Sequence, residues 1–328
     1  LNPKLIRKEI IHGKQKDAGL NISCHVQKIE WSCLLLFFLV SPMVVLAQTI
    51  GEVPKKGSYL YFRQPAFEDN SFLIDEAFTQ EKGVFQYRST FYLDNLHSGN
   101  FVYSFSQEIP ITHLRHQLNY TLYYNVLNPK SGSASSGFGD IDIGYRYMAS
   151  GKKDWAMVVP GFTLILPTGN ATTGNGAGGV GGRLSLALTK RLSNKLVTHY
   201  NAGYTYIFRA DRFTSNATGT NVLSFEKNLQ HSNAGASMIW YQTRKFNWMV
   251  EYVSNFQSSI NDNGSVNHNH FLTINPGFRF AIDHPFVQIV PGLSAPFLFI
   301  NGQFRGPGLL FYLSFEPEYL PFSKPKGR

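Results

Sequence analysis

The residues best placed to act on a solute are charged side chains that alternate with apolar ones. In GFGDIDIGYRYMA, residues 137–149, Asp140, Asp142 and Arg146 fall on even positions with Gly144. Ile141, Ile143, Tyr145 and Tyr147 fall on odd positions. A β-strand sends alternate side chains to opposite faces, so two carboxylates and a guanidinium share one face while apolar groups hold the other. The same rule collects Arg115, Arg183, Arg191, His199, Glu251, Arg279 and Glu316 on polar faces elsewhere in the chain. Charges of both signs in a confined passage discriminate permeants at close range. Should the strands that carry them close around a lumen, its expected lining is Arg115, Asp140, Asp142, Arg146, Arg183, His199, Glu251, Arg279 and Glu316. A salt-bridged, hydrated plug of side chains is the competing reading, and a narrow barrel is compatible with either.

Other motifs lose their chemistry when placed on the chain. GNGAGG, residues 174–179, satisfies the spacing of a dinucleotide loop, but RLSLALTKRL follows it and alternates as a strand where that fold needs a helix. His268 and His270 stand two apart in NHNH, without the third or fourth ligand that zinc requires. His231 and Ser232 are adjacent, so a regular strand points them to opposite faces and prevents a nucleophile–base pair. Asn170-Ala-Thr and Asn216-Ala-Thr read as turn chemistry. No catalytic residue, metal ligand or cofactor is expected, and the chain is not read as an enzyme.

What must position the charged residues is a succession of long strands. Leu114, Leu118, Tyr120, Leu122, Tyr124 and Val126 oppose Arg115, Gln117, Asn119, Thr121 and Asn125. Tyr200, Ala202, Tyr204, Tyr206 and Phe208 oppose His199, Asn201, Gly203 and Thr205. Trp248, Val250, Tyr252 and Phe256 oppose Asn247, Glu251 and Asn255, and Leu272, Ile274, Phe278 and Phe280 oppose Thr273, Asn275 and Arg279. Such runs exceed the usual five or six residues of soluble strands and match the roughly 9–11 tilted residues that cross a bilayer. Twelve strands are expected, starting near residues 84, 100, 114, 138, 155, 180, 196, 230, 246, 270, 286 and 308. The links alternate in length. Short ones lie at 109–112, 150–154, 193–195, 243–245 and 283–285. Long ones lie at 95–99, 128–137, 168–179, 211–229, 259–269 and 300–306.

Short turns on one rim and long loops on the other are the habit of outer-membrane barrels, whose apolar face meets lipid and whose polar face meets the lumen. Closure would also satisfy every backbone hydrogen bond, which a lipid-exposed sheet edge cannot. The expected fold is all-β: a single antiparallel transmembrane barrel of about twelve strands. Aromatic residues make up 15% of the chain and charged residues 16%, against about 25% charged in ordinary soluble proteins. The net charge is +9, without a block of like charges, and nucleic acid is not an expected partner.

WSCLLLFFLVSPMVVLAQT, residues 31–49, has the basic flank, apolar run and small-residue end of a signal peptide cleaved after Ala47. The stretch before Glu30 is long for such a flank, as an over-extended reading frame would make it. Both cysteines, Cys24 and Cys33, fall within this leader, so the mature barrel would have no disulfide or thiolate chemistry. Residues 1–47 are thus read as leader and signal peptide. Residues 48–82 are read as a periplasmic segment outside the wall or tucked into its mouth, 83–322 as the barrel and 323–328 as a C-terminal tail. The location implied is the outer membrane of a Gram-negative bacterium. The partners implied are outer-membrane lipid and lipopolysaccharide, the barrel-assembly machinery and a small solute of unidentified chemistry.

The segment from Ser135 to Tyr206 resembles the family named for the MetA pathway of phenol degradation. The resemblance rests on Gly137-Phe138-Gly139-Asp140-Ile141, Leu166-Pro167-Thr168-Gly169, the Gly-rich loop after it and Asn201-Ala202-Gly203-Tyr204. QPAFEDNSFLIDEAFTQEKGVFQYR, with Lys82-Gly83 opening the first strand, is similar to the segment that leads into the family's barrel. The resemblance implies an outer-membrane barrel that serves as channel or transporter for small, often aromatic or hydrophobic, compounds, and it supplies no catalytic or binding residues. The alternatives are a structural or adhesive barrel and a barrel-embedded hydrolase.

Overall fold

A computed structural model describes residues 71–80, 84–96, 99–111, 115–128, 134–150, 155–215, 220–284 and 287–317. The chain divides into two compact units, Leu1–Thr49 and Ile50–Arg328, and every described residue belongs to the second. The expected leader, most of the 48–82 segment and the 323–328 tail lie outside the described residues.

The described strands are β1 (Gln86–Leu93), β2 (Phe101–Pro110), β3 (His116–Leu127), β4 (Ser135–Phe138), β5 (Ile141–Tyr147), β6 (Met157–Leu166), β7 (Gly181–Ser193) and β8 (Leu196–Ser215). They continue as β9 (Asn221–Thr243), β10 (Phe246–Ile260), β11 (Val266–Phe280), β12 (Ile282–His284), β13 (Val287–Ser294), β14 (Phe297–Ile300), β15 (Gln303–Pro307) and β16 (Leu309–Pro317). All belong to one sheet, and their pairings are antiparallel. Four crossings are each made of two pieces: β4 with β5, β11 with β12, β13 with β14, and β15 with β16. Among the described residues this makes twelve crossings. The ring closes where β1 pairs with β16, from Tyr87↔Phe315 to Leu93↔Leu309. A closed ring leaves no sheet edge to satisfy, the condition for crossing lipid with strands.

Alternation sorts the wall into two faces. Leu118, Ile143, Phe162, Leu184, Tyr204, Met238, Trp248 and Ile274 are exposed on the outside, a belt of apolar groups that only lipid can cover. Register carries the pattern from strand to strand, with Leu118 opposite Tyr145 and Trp248 opposite Phe278. On the other face Gln117, Asp142, Arg146, His199, Glu251 and Arg279 are buried.

The connections depart from expectation on the long-loop side. Residues 211–229 are largely strand: β8 runs to Ser215 and β9 starts at Asn221. Likewise β10 runs to Ile260 and β11 starts at Val266, which leaves 261–265 as the turn. Here both sheet faces are wet, as the exposed residues through most of 221–228 show. The apolar rhythm therefore stops while the backbone ladder continues. INGQFRG is a two-residue hairpin, with Asn301 and Gly302 at φ +51° and +79°, the left-handed pair that a tight Asn-Gly turn requires. On the other rim, Asn194-Lys195 and Arg244-Lys245 are two-residue turns, as the short links implied.

Candidate functional site in the barrel lumen

The inward-facing side chains converge on residues 71–80, which lie against the lumen face of the wall. Their backbone is held as a peptide ligand would be, by side chains from strands around the ring. The N–H groups of Leu73 and Ile74 both donate to Glu251 Oε1 on β10, at 2.8 and 3.1 Å. Asn201 on β8 accepts from the N–H of Asp75 at 2.8 Å and donates to its carbonyl at 2.8 Å. The Ala77 N–H donates to Thr189 Oγ1 on β7, and the Gln80 N–H donates to Gln117 Oε1 on β3, both at 2.8 Å. Arg146 on β5 donates from Nη2 to the Glu76 carbonyl. Glu251 is completed by Asn275 on β11, whose Nδ2 donates to Oε2 at 2.7 Å. Backbone groups removed from bulk water need partners, and the wall supplies them.

Apolar groups of the segment sit in matching seats. Phe72 packs with Val197, Ile239, Tyr241, Met249, Leu310 and Tyr312 in the largest buried cluster. Its ring fits because β11 and β13 place glycines beneath it. A Cβ at Gly292 would lie 2.6 Å from the ring, and one at Gly277 would lie 2.5 Å from it. Ile74 occupies the equivalent space over Gly235. Ala77 packs on Val159 and Ala187. A packed apolar seat combined with anchored amides gives the segment one position in the lumen.

The expected lining residues separate into several roles. Arg146, His199, Glu251 and Arg279 are buried around the threaded segment. His199 Nδ1 is 2.7 Å from Thr189 Oγ1, which carries Ala77, and its ring meets Phe78 edge-on. Arg279 lies over the ring of Tyr312, part of the Phe72 cluster. Asp142 pairs with Arg183 at 3.0 Å and accepts from Tyr123 at 3.1 Å. Glu316 accepts from Gln86 at 2.6 Å. Arg115 is in an exposed turn before β3, outside this constellation. Arg191 lines a small cavity with Phe78, Thr189, His199 and Tyr241. Asp140 lies between β4 and β5 and works on a loop: its carboxylate accepts from the N–H of Gly169 at 3.0 Å and of Ala177 at 2.8 Å. The GFGDI and LPTG motifs thus meet through one carboxylate, which ties down the Gly-rich loop.

The sequence places Gln117 and Asn201 on polar faces without a role, and it gives no sign of Arg88, Glu108 and Thr189. Glu108 accepts from both Gln80 and Gln117, and Arg88 lies 3.6 Å from Asp75. The alternation of Phe72, Ile74 and Glu76 in SFLIDEAFTQ was the available signal, because all three are buried while Asp75 is exposed.

Histidine and serine do meet, across β10 and β11. Ser258 Oγ is 3.0 Å from His268 Nδ1, and Ser254 Oγ is 2.8 Å from His270 Nε2. Ser258, however, donates its hydroxyl proton to the Gln230 carbonyl at 2.8 Å and takes the His268 N–H as acceptor. A nucleophile needs that proton directed to a base. Among the described residues, no group of three or more His, Cys, Asp or Glu side chains is placed to hold a metal ion.

No curated protein matches the chain in sequence. Among solved structures, an outer membrane channel from Pseudomonas putida F1 is similar at 13% identity and a TM-score of 0.50, covering 71% of this chain and 93% of that one. The translocator domain of the autotransporter NalP from Neisseria meningitidis aligns at 11% identity and a TM-score of 0.44, covering 74% of this chain and 90% of that one. The likeness to the Pseudomonas channel is one of fold, that of an outer-membrane β-barrel. The family model for the MetA-pathway of phenol degradation matches residues 62–280, and the chain belongs to that family.

Proposed function

We propose that the protein is a channel for small solutes in the outer membrane of a Gram-negative bacterium, with residues 71–80 setting the width of its pathway. The observation that carries this reading is the lumen face itself. Arg88, Glu108, Asp142, Arg146, Arg183, Glu251 and Arg279 are gathered inside a ring whose outside is apolar. Ionisable groups inside a membrane mark pathways and come at a cost that a purely structural wall would avoid. The segment narrows the passage, so permeants are small, and the aromatic seat around Phe72 favours planar or apolar ones. The hydrolase alternative draws no support from the Ser258–His268 pair, whose proton points away from the imidazole.

Reconstitution in planar bilayers and solute-loaded vesicles tests the proposal. The purified protein should give discrete conductance steps, and replacing Phe72 by alanine should enlarge them. A folded barrel that neither conducts nor admits any small aromatic or aliphatic compound, with or without Phe72, would leave the structural role as the better reading.

A further inference from the structure

The outward face of β7 carries a residue that neither the channel nor the wall needs. Leu184, Leu186 and Leu188 form its lipid-facing column, with the first two 63% and 45% exposed. Lys190 is the next position in that column, and Leu192 follows it, 55% exposed. An ammonium therefore stands at the border of the apolar belt, above the two-residue turn Asn194-Lys195. Trp155, 79% exposed, turns its ring beneath it, with Lys190 Nζ 3.6 Å from the ring centroid.

The surroundings mark this level as the membrane interface. Lys190 is opposite Thr198, whose hydroxyl donates to the Lys190 carbonyl at 3.1 Å. Two pairs further along, Leu196 faces Trp240, which faces Trp248 on β10. Tryptophan at this depth is the usual anchor between acyl chains and headgroups. The adjacent turns add Lys195, Arg244 and Lys245, of which Lys245 pairs with Asp283 at 3.0 Å. On the other rim Arg209 pairs with Glu226 and Arg212 with Asp262, each at 2.6 Å. Among the described residues the turns beside Lys190 are therefore the more basic surroundings.

We propose that Lys190 and Trp155 form a headgroup site for an anionic phospholipid of the phosphatidylglycerol class, in the leaflet that meets the short turns. The ring fixes the side chain and shields one side of the ammonium, while its N–H donors can reach a phosphate oxygen. The leucine column below receives the acyl chain. The net negative charge of that headgroup pairs with the Lys190 ammonium, where a zwitterionic headgroup would bring a cation of its own against it. The inference rests on the membrane-barrel reading, with the short turns on the periplasmic side.

Native mass spectrometry of the full-length protein, folded in detergent, tests it by titration with phosphatidylglycerol and phosphatidylcholine of matched chains. Phosphatidylglycerol should bind about fivefold tighter, the preference that one basic residue near an anionic surface supplies. Lys190→Gln should bring the two lipids level, and Lys190→Arg should keep the preference. Lys245→Gln should leave it unchanged, because Lys245 is paired with Asp283. Equal binding of both lipids by the wild type, or an unaltered preference in Lys190→Gln, would overturn the site. So would soluble glycerol 3-phosphate competing as well as the lipid, since the leucine column would then contribute nothing. Insertion into phosphatidylcholine vesicles, read by heat-modifiable gel migration, separates the two ideas. A protein that inserts without lipid preference loses the headgroup site alone, and one that never inserts loses the membrane reading with it.

Discussion

Replacing Glu251 by alanine should free the threaded segment while leaving the wall intact. In the native lumen this carboxylate accepts the N–H groups of Leu73 and Ile74, and the amide of Asn275. Hydrogen bonds to a charged acceptor contribute roughly 1.5–3 kcal/mol each, so the two that hold the segment are worth about 3–6 kcal/mol. Water entering the vacated space re-solvates the freed amides, which brings the loss to about 3 kcal/mol, near the lower bound. At about 1.4 kcal/mol per factor of ten, the released state should become about a hundredfold more populated. Amide hydrogen exchange followed by mass spectrometry reads this directly. The peptide spanning 71–80 should exchange about a hundredfold faster, with β8 and β9 unchanged as internal controls. Glu251→Gln should be much milder, since its carbonyl can keep both segment amides. Rotation of Asn275 would then offer its own carbonyl, Oδ1, to the new amide. Unchanged exchange at 71–80 in the alanine variant, with the barrel folded, would refute the claim that Glu251 anchors the segment.

Further outcomes follow from the same geometry. Gly292→Val places a side chain where the Phe72 ring lies, so it should expel the ring and raise single-channel conductance much as Phe72→Ala does. Ile143→Arg puts a guanidinium on the lipid face and should lower folding yield in vesicles, since such a charge costs about 2–4 kcal/mol near the midplane. Ser104→Arg should fold normally, because Ser104 shares the lumen face of β2 with Ser106 and Glu108 and lies opposite Tyr123. Gly144 is a poorer control, because a Cβ there runs into the Asn119 carboxamide. Arg183→Gln leaves Asp142 without its ion-pair partner and should shift reversal potentials toward cation selectivity, with little loss of fold. Asp140→Ala removes both anchors of the Gly-rich loop, and limited proteolysis should then cut within 168–179 far sooner than in the wild type.

The wall was legible because lipid and lumen impose opposite demands on successive residues. Ile143 and Asp142 could hardly be exchanged, and the same alternation is clean in β5 and β10 but weaker in β1, β2 and β13. Beyond that belt the demand disappears. Val222-Leu223-Ser224 and Asn267-His268-Asn269 form ladders with both faces wet, so nothing in their order distinguishes strand from loop. Asn301-Gly302 has the composition of a tight turn, which the expectation of long links on that rim conceals. The threaded segment left the faintest trace. Leu73 meets Glu251 178 positions away, through a backbone N–H that every residue type except proline offers. Sequence marks Glu251 as polar and inward; only the fold shows that its partner is a piece of the same chain. For the same reason alternation alone groups Asp140 with the lumen charges, since its loop partners are backbone amides with no signature.

The way residues 71–80 are held also bears on how the barrel gets its strand alignment right. The five side chains that grip their backbone come from β3, β5, β7, β8 and β10, so each must arrive with its polar face turned inward. A slip of one residue in any of these strands would turn Gln117, Arg146, Thr189, Asn201 or Glu251 out toward lipid and leave an amide or carbonyl of the segment without its partner. The segment precedes β1 in the same chain, so it is at hand while the ring closes. It can serve as a gauge against which the ring is assembled: misaligned closures forfeit its hydrogen bonds and the Phe72 seat together, and the correct one collects them all.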